Sequence, residues 1–272
     1  MTDKKRIACF FTGGYTELNT MKSFMRRIND KVEYIQLCPT GARKSKDAIR
    51  RRHIDDIENN QNGLTGLKLI EYVLEFVDGD RFKEEKYDAI LIEDDKDDRF
   101  LCIQPDGTAI VDNEKWSNFI QDVKTQLNKK CSGIPVLFFL AAPEVESWFL
   151  ADWDNSFGKV YMDRLNAPQN RYFSIVFRKY INECILTQCY SDALEAYGFF
   201  EGKYEKLSEK IQNALAEKDF FAGYIPTFEH KPIRYSKRVE GEMMLEEIDP
   251  HIVAQRCTAF LKNEFLALQK LS

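Results

Sequence analysis

Four short apolar runs, at residues 7–11, 32–37, 89–92 and 135–140, punctuate the first half of the chain. The first and last are almost uninterrupted, as expected of strands buried on both faces in a parallel sheet covered by helices. Between the runs the apolar spacing becomes helical. Leu18, Met21, Met25 and Ile28 follow one another at three- and four-residue steps, as do Leu67, Ile70, Leu74 and Val77, and again Trp116, Ile120, Val123 and Leu127. Strands alternating with helices predict an α/β fold, a parallel four-stranded sheet flanked by helices and joined by right-handed crossovers. After Ala142 helical patterns follow one another, at 143–152, 171–187, 191–197, 204–217, 241–247 and 250–269, with no clear strand between them. The organisation predicted is an α/β core over residues 1–152 and a mainly helical region over 153–272 that packs on it.

Composition narrows the class of protein. With 44% hydrophobic and 31% charged residues in 272, the chain can bury a core throughout, and its thirteen glycines and eight prolines are too scattered to mark a linker. The net charge of −5 argues against coating nucleic acid by bulk electrostatics, while leaving room for local basic strips. The longest apolar stretch, residues 134–142, is about half of what a membrane-spanning helix needs. The first run is too brief for a signal-peptide core, so the expectation is a cytoplasmic protein with no membrane contact. Seven widely spaced cysteines without C-x-x-C or zinc-like spacing read as reduced thiols, and three dispersed histidines do not make a metal site.

Two segments carry candidate chemistry. The first run leads into Thr12-Gly13-Gly14-Tyr15-Thr16-Glu17, a strand, a Gly-Gly turn and a helix start. In open α/β sheets ligands bind at the carboxyl ends of strands, and glycines there let backbone approach an anion. Taken alone, the turn is equally a plain tight turn, and Glu17 equally a carboxylate meeting a helix dipole. The third run ends in Glu93-Asp94-Asp95-Lys96-Asp97-Asp98. Five carboxylates in six residues repel one another unless they are solvated or neutralised by a cation, and hard oxygen ligands suit magnesium, manganese or calcium. Both a solvated acidic loop and a metal site satisfy that local sequence.

Basic residues concentrate in two places. One strip holds Arg43, Lys44, Lys46, Arg50, Arg51 and Arg52; the other holds Lys231, Arg234, Lys237 and Arg238 around Tyr235. Each is either a solvated face or a phosphate-tracking surface, and the first lacks the aromatics that base stacking would need.

The order of these features, a strand, a turn and Glu17, then an acidic motif read as Glu93-x-Asp95 or Asp95-x-Asp97, resembles the Toprim domain of topoisomerases, primases and OLD-type nucleases. The resemblance is closest to an uncharacterised bacterial Toprim-like family found near mobile-element and defence genes. It extends to Glu146-Ser147-Trp148, similar to an E-x-W segment after the fourth strand, and to Tyr235-Ser236-Lys237, Gly241, Ile248-Asp249 and Phe260, similar to the family's closing signature. The resemblance implies a Toprim-like, Rossmann-like sheet and Mg2+- or Mn2+-dependent phosphodiester hydrolysis of nucleic acid in phage defence or mobile elements. It implies Glu17, Asp95 and Lys237 as catalytic residues. It also implies Glu17, Glu93, Asp95, Asp97 and Glu146 as metal ligands, while the Gly-Gly turn and the basic strips offer Gly13, Gly14, Arg43, Lys44, Arg50, Arg51, Arg52, Arg234 and Lys237 as candidate phosphate contacts. The first turn departs from the Glu-Gly-x-Thr-Glu of relatives, and Glu93 stands where aspartate is commoner. The chain carries no ATPase signature, so by analogy with OLD-type nucleases a separate ATPase is a conceivable partner. A non-catalytic nucleic-acid or partner-binding module, and a phosphatase of small substrates, are the alternative readings.

Overall fold

The computed structural model describes residues 4–12, 14, 16–39, 64–106, 109–162, 175, 177–180, 194–196, 199–200, 203–204, 206–216 and 234–271. In chain order the first half runs β1 (Arg6–Phe11), α1 (Glu17–Ile28), β2 (Glu33–Cys38), α2 (Gly66–Asp78), α3 (Asp80–Glu85), β3 (Ala89–Asp95), β4 (Leu101–Ile103), β5 (Ala109–Val111), α4 (Asn113–Lys130) and β6 (Val136–Ala141). Strands β2, β1, β3 and β6 form, in that order, a parallel four-stranded sheet, the α/β architecture that the spacing predicts. Strands β4 and β5 form a separate antiparallel hairpin that the sequence pattern did not reveal. At three residues each they are too short to show a period, and Ile103 and Ile110 are exposed on them.

Side-chain alternation sorts each strand onto two faces. Ile7, Cys9 and Phe11 of β1, Ala89 and Leu91 of β3, and Leu137, Phe139 and Ala141 of β6 pack under α1. Their neighbours Ala8, Phe10, Ile90, Ile92, Val136, Phe138 and Leu140 pack under α2, α3 and α4. Strands β1 and β6 are thus apolar on both faces, which explains their unbroken hydrophobic runs.

The face under α1 is completed from the second half: α5 (Glu146–Ala151), α6 (Phe157–Met162), α7 (Leu207–Ala216), α8 (Glu242–Glu247), α9 (Pro250–Arg256) and α10 (Lys262–Gln269). Trp148 of α5 is wholly buried and stacks on Phe24 of α1, with ring centroids 5.0 Å apart. Polar groups at the C-terminal end of α1 cap two of these helices, α8 and α10. The Arg27 guanidinium donates to the carbonyls of Leu245 (2.6 Å) and Ile248 (3.2 Å), and the Asn29 side-chain amide donates to those of Leu268 and Leu271.

Three departures from the sequence pattern have local causes. A two-residue ladder, β7 (Phe199–Phe200) with β8 (Lys203–Tyr204), lies in the half read as strand-free, since strands this short leave no periodic trace. The pattern over 250–269 is broken between α9 and α10, where the amides of Ala259 and Phe260 turn from helical bonding to the buried carboxylate of Glu195. The segment before α8 opens as a π-helical turn, Lys237–Gly241. Most of the patterns at 171–187 and 191–197 lie outside the described residues.

Candidate functional site

The chain leaves β1 toward β2 on one side and returns to β3 on the other, so the strand order reverses at the carboxyl ends of β1 and β3. That reversal opens a crevice in doubly wound sheets. Here it receives Glu17, at the start of α1 just after β1, and the acidic end of β3.

The sequence places the acidic run beyond the strand, but β3 continues through Glu93, Asp94 and Asp95, paired in register with Phe139, Leu140 and Ala141 of β6. Pairing with the wholly apolar β6 overrides the poor strand propensity of carboxylates. Alternation then separates the run. Asp94 points to the far face, where it accepts from the Gly66 amide (3.0 Å) at the start of α2 and pairs with Arg99. Glu93 and Asp95 share the face of α1. Lys96 is wholly buried and donates to the Arg99 carbonyl; burial and the Arg99 charge pull its pKa down to about 7. Asp97, in the following turn, faces Lys206 at 3.8 Å, and Asp98 is exposed.

Around Glu17, Glu93 and Asp95 the second half supplies Glu144, Glu146, Tyr235 and Lys237. The Tyr235 hydroxyl donates to Glu146 Oε1 at 2.6 Å, and Lys237 Nζ lies 2.8 Å from Glu144 Oε1 and 3.5 Å from Glu146 Oε2. The Thr16 hydroxyl donates to the Lys237 carbonyl at 2.9 Å, which ties the π-helical turn to the start of α1. Gly241 permits that approach, because a Cβ there would stand 2.7 Å from Thr16 Oγ1. Gly14 has the same role on the other side of the crevice: a Cβ would fall 2.0 Å from Glu17 Oε2.

Among the described residues, Glu17 Oε2, Glu93 Oε1, Asp95 Oδ1 and Glu146 Oε2 are buried without a hydrogen-bond partner. Burial, then the charge of Glu146, pushes Glu17 up to about 7. Burial and the Glu17 charge push both Glu93 and Asp95 well above the usual carboxylate range. Glu146 is raised by burial and by Glu144, although Lys237 and Tyr235 oppose the rise. Glu144 behaves differently: burial would raise it, but Lys237 and Ser208 hold it below its ordinary value. Burial would lower Lys237, yet the charges of Glu146, Asp95 and Glu144 hold its proton above the ordinary range. The site is a buried cluster of carboxyl groups that oppose one another's ionisation, with the Lys237 ammonium beside it. Such a set has hard oxygen donors suited to magnesium or manganese. Among the described residues, no group of three or more Asp, Glu, His or Cys side chains is arranged so as to hold a metal ion.

The chain matches no family model, no curated protein and no solved structure. Site geometry therefore carries the functional argument.

Of the residues singled out in the sequence, Glu17, Glu93, Asp95, Glu146 and Lys237 come together, with Gly14 against Glu17. Asp97 lies in the turn with Lys206, and Arg234 is exposed beside Tyr235, its carbonyl accepting from the Tyr161 hydroxyl. Gly13, Arg43, Lys44, Arg50, Arg51 and Arg52 lie outside the described residues. Glu144 and Tyr235 were given no role from sequence; the available signal was their place two residues before Glu146 and Lys237.

Gly14→Ala is expected to fold, since the atom it displaces is the end of a flexible side chain, but to drive the Glu17 carboxylate out of place. Displacements of this size cost about 100-fold in rate, so divalent-cation-dependent turnover should fall by that order while the urea midpoint stays close to wild type. An unchanged rate would mean that Glu17 is not part of the reacting site.

Proposed function

We propose that this chain is a divalent-metal-dependent phosphodiesterase acting on nucleic acid, with Mg2+ or Mn2+ held by Glu17, Glu93 and Asp95. One observation carries the reading: at the strand-order reversal several carboxylates each keep a buried oxygen that has no hydrogen-bond partner among the described residues. Leaving such oxygens unsatisfied is costly, and a hard cation relieves both the desolvation and the mutual repulsion. When bound, a divalent ion supplies Lewis-acid stabilisation of phosphoryl oxygens and a more acidic water.

The residues of the chain would divide the remaining work. Asp95 and Glu93, fixed two apart on a central strand, and Glu17, on the first turn of α1, offer ligands from rigid elements. Tyr235 fixes the orientation of Glu146 at the edge of the ligand set. Lys237, with its side chain 30% exposed, reaches the solvent side of the cluster, where its ammonium would meet a phosphate oxygen and offset the charge that builds in the transition state. Nucleic acid as substrate is supported by the Toprim resemblance and by exposed Arg234 near Lys237.

The test combines purified protein with single- and double-stranded DNA and RNA, with magnesium or manganese, and with a small phosphate monoester. Cleavage of a nucleic acid that stops on chelation, with manganese binding by calorimetry, is the expected result. Turnover of the monoester alone would replace the nuclease reading with a small-substrate phosphatase. Absence of manganese binding would overturn the metal reading.

A further inference from the structure

The buried acids at the site differ in how fully they are satisfied. Among the described residues, Glu17, Glu93, Asp95 and Glu146 each keep one oxygen without a hydrogen bond. Glu144 does not: its Oε2 accepts from the Ser208 amide at 3.0 Å, and its Oε1 accepts from the Ser208 hydroxyl at 3.1 Å and from Lys237 Nζ at 2.8 Å. Ser208 lies in the first turn of α7, where backbone amides and the helix dipole favour a carboxylate. Both Glu144 oxygens are therefore committed, which makes Glu144 a poor metal ligand and a firm anchor.

Lys237 needs such an anchor. Its backbone is fixed, with the carbonyl accepting from Thr16 and the π-helical turn beginning at this residue. Its ammonium, however, sits at the end of a flexible four-carbon arm. It already makes a second, longer ion pair with Glu146 Oε2 at 3.5 Å, on the side of the carboxylate cluster. An ammonium released from Glu144 would fall into the carboxylate cluster and neutralise it in place of a cation.

We infer that Glu144 is a positioning residue that anchors the Lys237 ammonium at the rim of the carboxylate cluster, beside Glu146, and so leaves the oxygens of Glu17, Glu93 and Asp95 to a divalent ion. The inference rests on the metal reading above. It adds that the chain carries a built-in competitor for its own ion, held aside by a carboxylate that is not itself a ligand.

The test is manganese titration by calorimetry of four proteins: wild type, Glu144→Gln, Lys237→Met and the double variant. Glu144→Gln alone should weaken manganese binding by about tenfold or more, the usual scale for residues that orient a metal site from outside it. Lys237→Met should bind at least as tightly as wild type. The double variant should recover to within about threefold of Lys237→Met, because without the ammonium there is nothing left to anchor. The same loss from Glu144→Gln in both backgrounds would show Glu144 acting on the ion directly and overturn the inference, leaving the metal reading intact. No manganese binding by wild type would overturn both. Should Glu144→Gln not fold, Glu144→Asp, which keeps the charge but shortens its reach, runs the same cycle with the same expectations.

Discussion

Asp95→Asn is expected to abolish divalent-cation-dependent cleavage and, in the same protein, to raise the melting temperature measured in chelator. Asp95 lies at the end of β3 on the α1 face, close enough to Glu17 and Glu93 that each charge raises the proton affinity of the next. An amide keeps the shape of the side chain but ligates a hard cation poorly. The loss in rate should be at least about 1,000-fold, equivalent to roughly 4 kcal/mol of transition-state stabilisation. In the absence of metal the same change removes a desolvated negative charge from among others, so the fold gains. About 1 kcal/mol of relief corresponds to a rise of roughly 2–4 °C for a chain of this size. Activity assays and scanning calorimetry on one preparation read both effects. A variant that loses activity and also melts lower in chelator would identify Asp95 as a structural residue and remove it from the chemistry.

The stability of the metal-free protein should fall as pH rises from about 4.5 to 7, opposite to the behaviour of a protein held together by ion-paired carboxylates. Glu17 rises from 4.5 to about 7 on folding, chiefly through burial and then through Glu146. Between those values the folded state binds a proton that the unfolded state has released, and stability declines across the interval. Below it both states are protonated, and above it both are ionised, so the difference is constant. The decline from Glu17 is about 3 kcal/mol, and the upward shifts of Glu93 and Asp95 act in the same direction. Glu144 has the opposite sign: held below its ordinary value, it contributes stability above the usual carboxylate range and loses it in acid. The metal-free protein should therefore be most stable near about pH 5. Glu17→Gln should flatten the decline, and saturating manganese should reverse it, because the ion selects the ionised carboxylates. Urea midpoints at pH 5 and pH 7.5, with chelator or manganese, give the readout. Equal midpoints in chelator would mean that the carboxylates are not desolvated and that the site has no charge to be neutralised.

The sequence by itself determined the α/β core. The runs in β1 and β6 are apolar at successive positions because both faces of those strands are covered, and α1 shows its buried stripe at Met21, Met25 and Ile28 because a single face packs. Glu17 and the acidic run were visible as candidates for the same reason: strand ends in such sheets are where chemistry collects. Tertiary structure decided which acids belong to the site. Pairing with β6 extends β3 through Asp95, so that Glu93 and Asp95 turn to one face while Asp94, identical in chemistry to its neighbour, turns to the other and secures Arg99 and α2. Glu144 and Glu146 are two residues apart and chemically alike, yet Ser208 and Lys237 bond both oxygens of the first, while the second has Tyr235 on one oxygen and, among the described residues, only the longer Lys237 ion pair on the other. Those partners lie 64 to 93 residues away along the chain. Periodicity reports which face of an element is buried. Only the folded chain decides which distant donor reaches a given carboxylate, and so which carboxylates are left open for an ion.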